Sequence, residues 1–134
     1  AGGLRRVHWA MAKGADVLVI ELGGNDGLRG IPPGETKKNL LGIITKARAK
    51  NPKIKILIAG MQMPDNMGPR FTAAFKTLFP DVARESKATL IPFLIEGVGG
   101  VEKLNQEDGI HPTAEGQIKV ADNVWKFLHP VISP

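Results

Sequence analysis

The 134-residue sequence contains no cysteine. This absence excludes disulfide bonds, a nucleophilic thiolate and zinc sites that depend on cysteine. The three histidines, His8, His111 and His129, stand in different segments without the spacing of a metal site. We therefore expect the protein to use neither a metal nor another cofactor.

Aromatic side chains are also scarce, at 5% of the residues with no tyrosine. The net charge of +5 raises nucleic-acid binding as one interpretation, but the lysines and arginines are dispersed along the chain. A surface for base stacking is poorly supplied. We therefore expect no nucleic-acid partner.

Long apolar runs are absent, and none approaches the ~20 residues of a membrane-spanning helix. We therefore expect no membrane span. Apolar residues make up 43% and charged residues 23% of the chain, as in ordinary globular proteins. The length suits one domain over residues 1–134.

The apolar pattern alternates between the helix and strand periods. It predicts strands at 17–22, 54–59 and 89–95, separated and flanked by helices near 4–11, 36–50, 71–82 and 113–128. This alternation predicts an α/β fold of three layers, with a parallel sheet between helices.

Two details of these helices are also predicted. Pro80 is expected to bend or divide the third helix. The inner face of the last helix is expected to consist of four residues at helical spacing: Ile118, Ala121, Trp125 and Leu128.

The run Asp108-Gly-Ile-His111-Pro112 lies in a loop after the third strand. A carboxylate three residues before a histidine can accept the imidazole N–H and stabilise the imidazolium. Such a pair is suited to general acid–base catalysis. The same run is also compatible with a surface turn that precedes a helix cap.

The run Gly23-Gly24-Asn25-Asp26 follows the first strand. Its glycines allow a sharp turn, and the amide of Asn25 can donate to a developing oxyanion. The alternative is a turn in which Asn25 and Asp26 bond their own backbone. A phosphate-binding loop is disfavoured because the glycine spacing does not match and no Lys-Ser/Thr follows.

A general base requires a nucleophile, and the sequence offers only two serines, Ser86 and Ser133. Neither follows a strand with a glycine turn, and neither do the six threonines. The chain therefore supplies a base, an orienting acid and an oxyanion donor without an activated hydroxyl.

The run Glu21 to Gly30 resembles the third conserved block of the SGNH (GDSL) hydrolases, and Asp108 to Pro112 resembles their fifth. The bacterial thioesterase I, lysophospholipase and arylesterase branch is particularly similar. This resemblance implies a flavodoxin-like fold in which Asn25 is the oxyanion donor, His111 the general base and Asp108 its orienting acid.

The resemblance also implies that the nucleophile is a serine in a Gly-Asp-Ser motif after an earlier strand. We therefore expect the first strands and this serine to lie before Ala1, and the chain alone to be inactive. Gly2 and Gly3 are not assigned to the family's second block, because the run into Leu4 predicts a helix.

By resemblance, the complete protein hydrolyses small acyl esters or thioesters through an acyl-enzyme in the periplasm or outside the cell. Leu28, Arg29 and Ile110 flank the site and are expected either to contact substrate or to shape the loops. The chain alone is expected to self-associate through an unpaired sheet edge. The alternative is a non-catalytic α/β module that binds a ligand or a partner.

Overall fold

The computed structural model describes residues 1–133. The chain alternates helices and strands, with short 3₁₀ turns at Asp65–Met67 and Glu102–Leu104. In chain order, the helices and strands are α1 (Gly2–Ala10), β1 (Val17–Ile20), α2 (Gly24–Leu28), α3 (Pro33–Lys50), β2 (Lys55–Ala59), α4 (Pro69–Ser86), β3 (Thr89–Ile91) and α5 (Ala114–Ile132).

The three strands form one parallel sheet in the order β1-β2-β3. Val19 of β1 lies opposite Leu57 of β2, and Leu57 lies opposite Thr89 of β3. This sheet with its helices confirms the predicted α/β class. All three strands point the same way, so the loops that leave their carboxyl ends emerge along one edge of the sheet.

The central strand β2 contributes to a hydrophobic core on each side of the sheet. Its side chains alternate between the two faces, as strand geometry requires. Ile56 and Ile58 pack into the core beneath α1, α3 and α4, whereas Leu57 and Ala59 pack into the core beneath α5. The four side chains are 4% exposed or less, so β2 fixes both helical layers.

Helix α5 packs through a different stripe from the one predicted. Ile118 is 66% exposed and Trp125 is 52% exposed, and Ala121 also faces solvent. Of the predicted residues, Leu128 alone joins the core. The sequence carries apolar residues at helical spacing on two faces of α5, and packing selects the stripe made by Val120, Val124, Phe127, Leu128 and Val131.

Strand β3 ends at Ile91, four residues earlier than predicted. Pro92 has no N–H to continue the ladder. The chain after Ile91 instead passes over the backbone of Gly60. The N–H of Gly60 donates to the carbonyl of Ile91 at 2.7 Å, and its carbonyl accepts from the N–H of Leu94 at 3.0 Å. A Cβ at Gly60 would lie 2.2 Å from the Pro92 carbonyl oxygen, so this crossing requires glycine.

Helix α4 is continuous from Pro69 to Ser86 and contains the exposed Pro80, so of the two predicted effects, bending or dividing the helix, division does not occur. The hydroxyl of Thr113 accepts from the N–H of Gly116 at 3.2 Å, which caps α5 as its sequence predicts. None of the helices within residues 1–133 is both long and apolar enough to cross a bilayer.

Gly116→Ala is expected to destabilise the protein by about 1–3 kcal/mol, as overpacking does in a buried site. Gly116 is buried in the first turn of α5, and a Cβ there would lie 2.2 Å from the carbonyl oxygen of Leu104. The free energy of unfolding in urea measures this cost. Gly34→Ala is the matched control, because a Cβ at this helical glycine has no neighbour within 4 Å among residues 1–133. It is expected to be neutral or slightly stabilising, and an equal loss in both variants would contradict the steric explanation.

Candidate active site

Asp108 and His111 lie at the tip of a hairpin formed by residues 104–113, which we call the dyad hairpin. The N–H of Thr113 donates to the carbonyl of Leu104 at 2.9 Å, and the N–H of Gln106 donates to the carbonyl of His111 at 2.7 Å. At the tip, Oδ2 of Asp108 lies 2.6 Å from Nδ1 of His111. The carboxylate therefore fixes the imidazole tautomer with the proton on Nδ1 and leaves Nε2 able to accept a proton.

The same carboxylate organises the backbone of the tip. Its Oδ1 accepts from the N–H of Ile110 at 2.9 Å and from the N–H of His111 at 3.0 Å. The His111 N–H, the His111 side chain and the Ile110 N–H together lower the pKa of Asp108 from 3.8 to about 2. The side chains of Asp108 and His111 are 44% and 69% exposed, so hydrogen bonding rather than burial orders the pair.

Asn25 lies in the short helix α2, where the sequence predicts only a turn. Gly23 precedes this helix with a φ of 124°, a left-handed conformation that favours glycine. A Cβ on Gly23 would also lie 3.2 Å from the ring of Phe79. The turn after β1 therefore packs directly on the core beneath it, which holds Asn25 at the carboxyl end of the strand.

Asp26, the neighbour of Asn25, is fixed by a hydrogen bond from helix α3. The hydroxyl of Thr36, which is 1% exposed, donates to Oδ2 of Asp26 at 3.0 Å. Asp26 thus bonds α3 rather than its own backbone. Within residues 1–133, no side-chain hydrogen bond involves Asn25, and its exposed amide remains available to donate.

One cleft of about 850 Å³ joins these features at the carboxyl ends of the strands. Asn25 lines it from the loop after β1, and His111 lines it from the dyad hairpin. Asp108 lies behind His111 through their hydrogen bond. The predicted flanking residues Leu28, Arg29 and Ile110 also line the cleft.

No serine is among the described residues that line this cleft, and its threonine, Thr36, is bonded to Asp26. Ser86 is buried at the end of α4, where its hydroxyl donates to the carbonyl of Val82 at 2.6 Å. Because α4 leads into β3, Ser86 lies at the amino end of the sheet, opposite the cleft. Ser133 follows α5 and is exposed. Within the described chain, the cleft that His111 lines therefore holds no serine.

Comparison with known proteins identifies the family of the chain. The model of the GDSL-like lipase/acylhydrolase family matches residues 1–118, a span that holds Asn25, Asp108 and His111.

The chain belongs to the GDSL-like lipase/acylhydrolase family.

Individual relatives of this GDSL-like chain carry esterase and thioesterase names. Esterase TesA of Pseudomonas aeruginosa is 46% identical over 133 residues, which are 98% of this chain and 65% of the relative. Thioesterase 1/protease 1/lysophospholipase L1 of Escherichia coli is 37% identical over 116 residues, 87% of this chain and 55% of the relative. The chain thus spans less than two thirds of the length of either relative.

A solved structure has the same fold. The psychrotrophic esterase EstA from Pseudoalteromonas sp., inhibited by monoethylphosphonate, superimposes with a TM-score of 0.90 at 28% identity. The match covers 99% of this chain and 72% of EstA.

The structure adds two features of the candidate site that the sequence interpretation missed. Met61 and Met63 line the cleft from the loop after β2. Their position after a parallel strand is the feature that could have predicted them. The Thr36–Asp26 hydrogen bond joins residues ten positions apart, and no sequence pattern indicates it. Gly2 and Gly3 form the start of helix α1, which begins two residues earlier than predicted, and both glycines also line the cleft.

The carboxyl of Asp108 is expected to titrate with a midpoint of about 2, measurable by ¹³C NMR of its side chain. Its pKa in the folded protein is below that of the unfolded chain, so ionised Asp108 favours the folded hairpin. This stabilisation is fully present above about pH 4 and is lost as the pH falls through the folded pKa.

His111→Ala serves as the control for this titration. The variant keeps the two backbone N–H donors of Ile110 and residue 111 but removes the imidazole. The midpoint is therefore expected to rise only part of the way towards 3.8. A midpoint near 3.8 in the unmodified protein would contradict the hydrogen-bonding pattern of the tip.

Proposed function

We propose that residues 1–134 form one domain of a serine-type hydrolase that cleaves carboxylic esters or acyl thioesters. In this proposal the chain supplies His111 as the general base, Asp108 as its orienting acid and Asn25 as an oxyanion donor. The nucleophilic serine comes from polypeptide outside residues 1–134. Membership of the GDSL-like family and the esterase and thioesterase names of the relatives support the reaction class.

The observation that carries the proposal is the 2.6 Å contact between Asp108 and His111 beside a cleft that Asn25 also lines. A surface turn needs the backbone hydrogen bonds of Asp108 but not an imidazole held on its second oxygen. A ligand-binding module, likewise, has no need for a histidine with a fixed tautomer. A general base, in contrast, needs both an imidazole held by a carboxylate and a fixed tautomer.

The chemistry follows from the two nitrogens of His111. Nε2 removes the proton from the serine hydroxyl as the oxygen attacks the acyl carbon, and the amide of Asn25 donates to the resulting oxyanion. The imidazolium, stabilised by Asp108, then protonates the leaving alcohol or thiol. Water attacks the acyl-enzyme with His111 again acting as base, and the acid departs as the serine regains its proton.

The rim of the cleft suits a substrate that has an apolar acyl portion and a polar portion. Leu28 and Ile110 are 44% and 51% exposed, and the thioethers of Met61 and Met63 extend the apolar lining. We propose that these side chains contact the acyl portion of a small ester or thioester. Arg29 adds a cation at the same rim and is proposed to contact the polar portion of the substrate.

We also propose that the protein acts in the periplasm or outside the cell. This compartment follows from the resemblance to exported bacterial thioesterases and arylesterases.

Removing the side chain of His111 or of Asn25 is expected to abolish most of the hydrolase activity. The measurement uses residues 1–134 assembled with a serine-bearing segment, taken from the same reading frame or from the part of Esterase TesA that the chain does not cover. On a p-nitrophenyl ester, His111→Ala is expected to lower kcat by at least ~10⁴. Asn25→Ala is expected to lower kcat by about 10²–10³, as for other oxyanion donors.

His8→Ala and Asn66→Ala are the matched controls, because both side chains are exposed and neither lines the cleft. They are expected to leave kcat unchanged. Without the serine segment, the chain is expected to show no turnover and no labelling by a fluorophosphonate. Labelling of Ser86 or Ser133, or near-normal activity of His111→Ala, would overturn the proposed roles.

We propose, finally, that the chain alone self-associates through the outer edge of β1. Within residues 1–133, β1 pairs with β2 alone, and Val19 on this strand is 37% exposed. An unpaired apolar edge is a template for another strand. Light scattering after size-exclusion chromatography is expected to give at least twice the mass of one chain, and Val19→Lys is expected to lower it.

Ile118→Lys separates the strand edge from the apolar stripe of α5. Ile118 is also exposed, but it lies on the helix. This variant is expected to remain associated. A monodisperse monomer of the unmodified chain, or dissociation by Ile118→Lys alone, would refute association through β1.

A further inference from the structure

The loop between β3 and α5 folds around one buried amide. Asn105 is only 9% exposed, and its Nδ2 donates to the carbonyl of Val98 at 2.7 Å and to that of Val101 at 2.9 Å. A buried amide that makes two such bonds stabilises the surrounding loop, and its loss leaves buried acceptors without a partner.

Asn105 occupies the base of the dyad hairpin. Its neighbours form the two backbone bonds that close the hairpin, from Thr113 N–H to Leu104 and from Gln106 N–H to His111. Asn105 itself pairs with Pro112 in an isolated antiparallel bridge. A shift of Asn105 therefore moves both sides of the hairpin that carries the acid–base pair.

The base of the hairpin also rests on α5. Leu104 is 1% exposed, and its carbonyl approaches Gly116 so closely that no Cβ fits between them. The hairpin is thus held from two directions, by the first turn of α5 and by the side chain of Asn105. The tip, in contrast, consists of exposed residues. Within residues 1–133, their hydrogen bonds connect them only to one another and to Gln106.

We propose that Asn105 is a positioning residue for proton transfer: its amide locks the base of the dyad hairpin and so sets where the His111 ring meets the cleft. Its consequence for catalysis rests on the proposed hydrolase function. Asn105 does not line the cleft and acts only through the hairpin. The hydrogen bonds at the tip determine the geometry within the Asp108–His111 pair. Asn105 determines the position of this pair relative to Asn25.

Asn105→Leu tests the lock, because leucine has a similar size but no donor. Hydrogen exchange is measured on residues 1–134 alone at the backbone amides of Gln106 and Thr113. The variant is expected to accelerate exchange at both amides by about 10- to 100-fold, the effect of losing two buried hydrogen bonds. This measurement needs no serine, so failure of the hydrolase proposal does not affect it.

Asn123→Leu is the matched control. The Nδ2 of Asn123, on α5, also donates to two loop carbonyls, those of Leu94 at 3.1 Å and Glu96 at 2.8 Å, but away from the hairpin. It is expected to leave Gln106 and Thr113 protected. Equal acceleration in both variants would show general destabilisation and overturn the proposal, as would unchanged protection in Asn105→Leu.

A measurement on the unmodified chain covers the case in which Asn105→Leu does not fold. The side-chain amide protons of Asn105 are expected to exchange through the same opening as the Gln106 and Thr113 amides, and so with the same protection. Exchange of the side-chain amide at the rate of a free amide, with both backbone amides still protected, would overturn the proposal.

The assembled enzyme provides the catalytic test. Asn105→Leu is expected to lower kcat by about tenfold or more while KM stays within about twofold, since misplacing a catalytic group affects the chemical step most. Asn123→Leu is expected to change neither. A rise in KM with kcat unchanged would assign Asn105 to substrate binding and refute a positioning role.

Discussion

Strand β2 is the element on which the placement of the site depends. It is paired on both edges and buried on both faces, with Leu57 and Ile58 fully inaccessible to solvent. The helices of one layer pack on Ile56 and Ile58, and α5 packs on Leu57 and Ala59. Because all the strands are parallel, this single buried strand also aligns the carboxyl ends of β1 and β3 along one edge of the sheet. The two halves of the candidate site are 80 or more residues apart in sequence and meet only through this alignment.

The two halves are then held by different physical means. Asn25 depends on tight packing: Gly23 lies against Phe79, and Thr36 ties Asp26 to α3 from a buried position. The Asp108–His111 pair depends on hydrogen bonds at an exposed hairpin tip, where the carboxylate of Asp108 accepts from two backbone N–H groups and from the imidazole. These bonds keep the carboxylate ionised well below neutral pH, so the tautomer of His111 is fixed without burial.

The sequence was sufficient to predict the class of the fold, the three strands and the residues that gather at the carboxyl edge. These features leave local patterns: short apolar runs, glycine turns and the spacing of Asp108 and His111. Prediction from sequence failed where two local patterns were equally compatible with the sequence and tertiary packing determined which one is buried. Helix α5 carries two apolar stripes, and the sheet accepted the one with Val124 and Phe127 rather than the one with Trp125.

Other features leave no local pattern. Strand β3 stops at Ile91 because the backbone beyond it crosses Gly60, thirty residues earlier in the chain. The bond from Thr36 to Asp26 and the amide of Asn105 likewise depend on how separate segments meet. The residues that carry the proposed chemistry were therefore predictable from sequence, whereas most of the residues that hold them in place were not.

The exposure of His111 defines what the described chain contributes to a hydrolytic site. Hydrogen bonds to a developing oxyanion are strongest where water is excluded, because solvent screens the charge and competes for the donors. The imidazole is 69% exposed and the Asn25 side chain also faces solvent. The fold therefore orients His111, the proposed base, and positions Asn25, the proposed oxyanion donor, but leaves both side chains hydrated. In the proposed enzyme, the segment that brings the serine and the acyl group of the substrate must also displace this water, so nucleophile delivery and desolvation occur at the same face of the cleft.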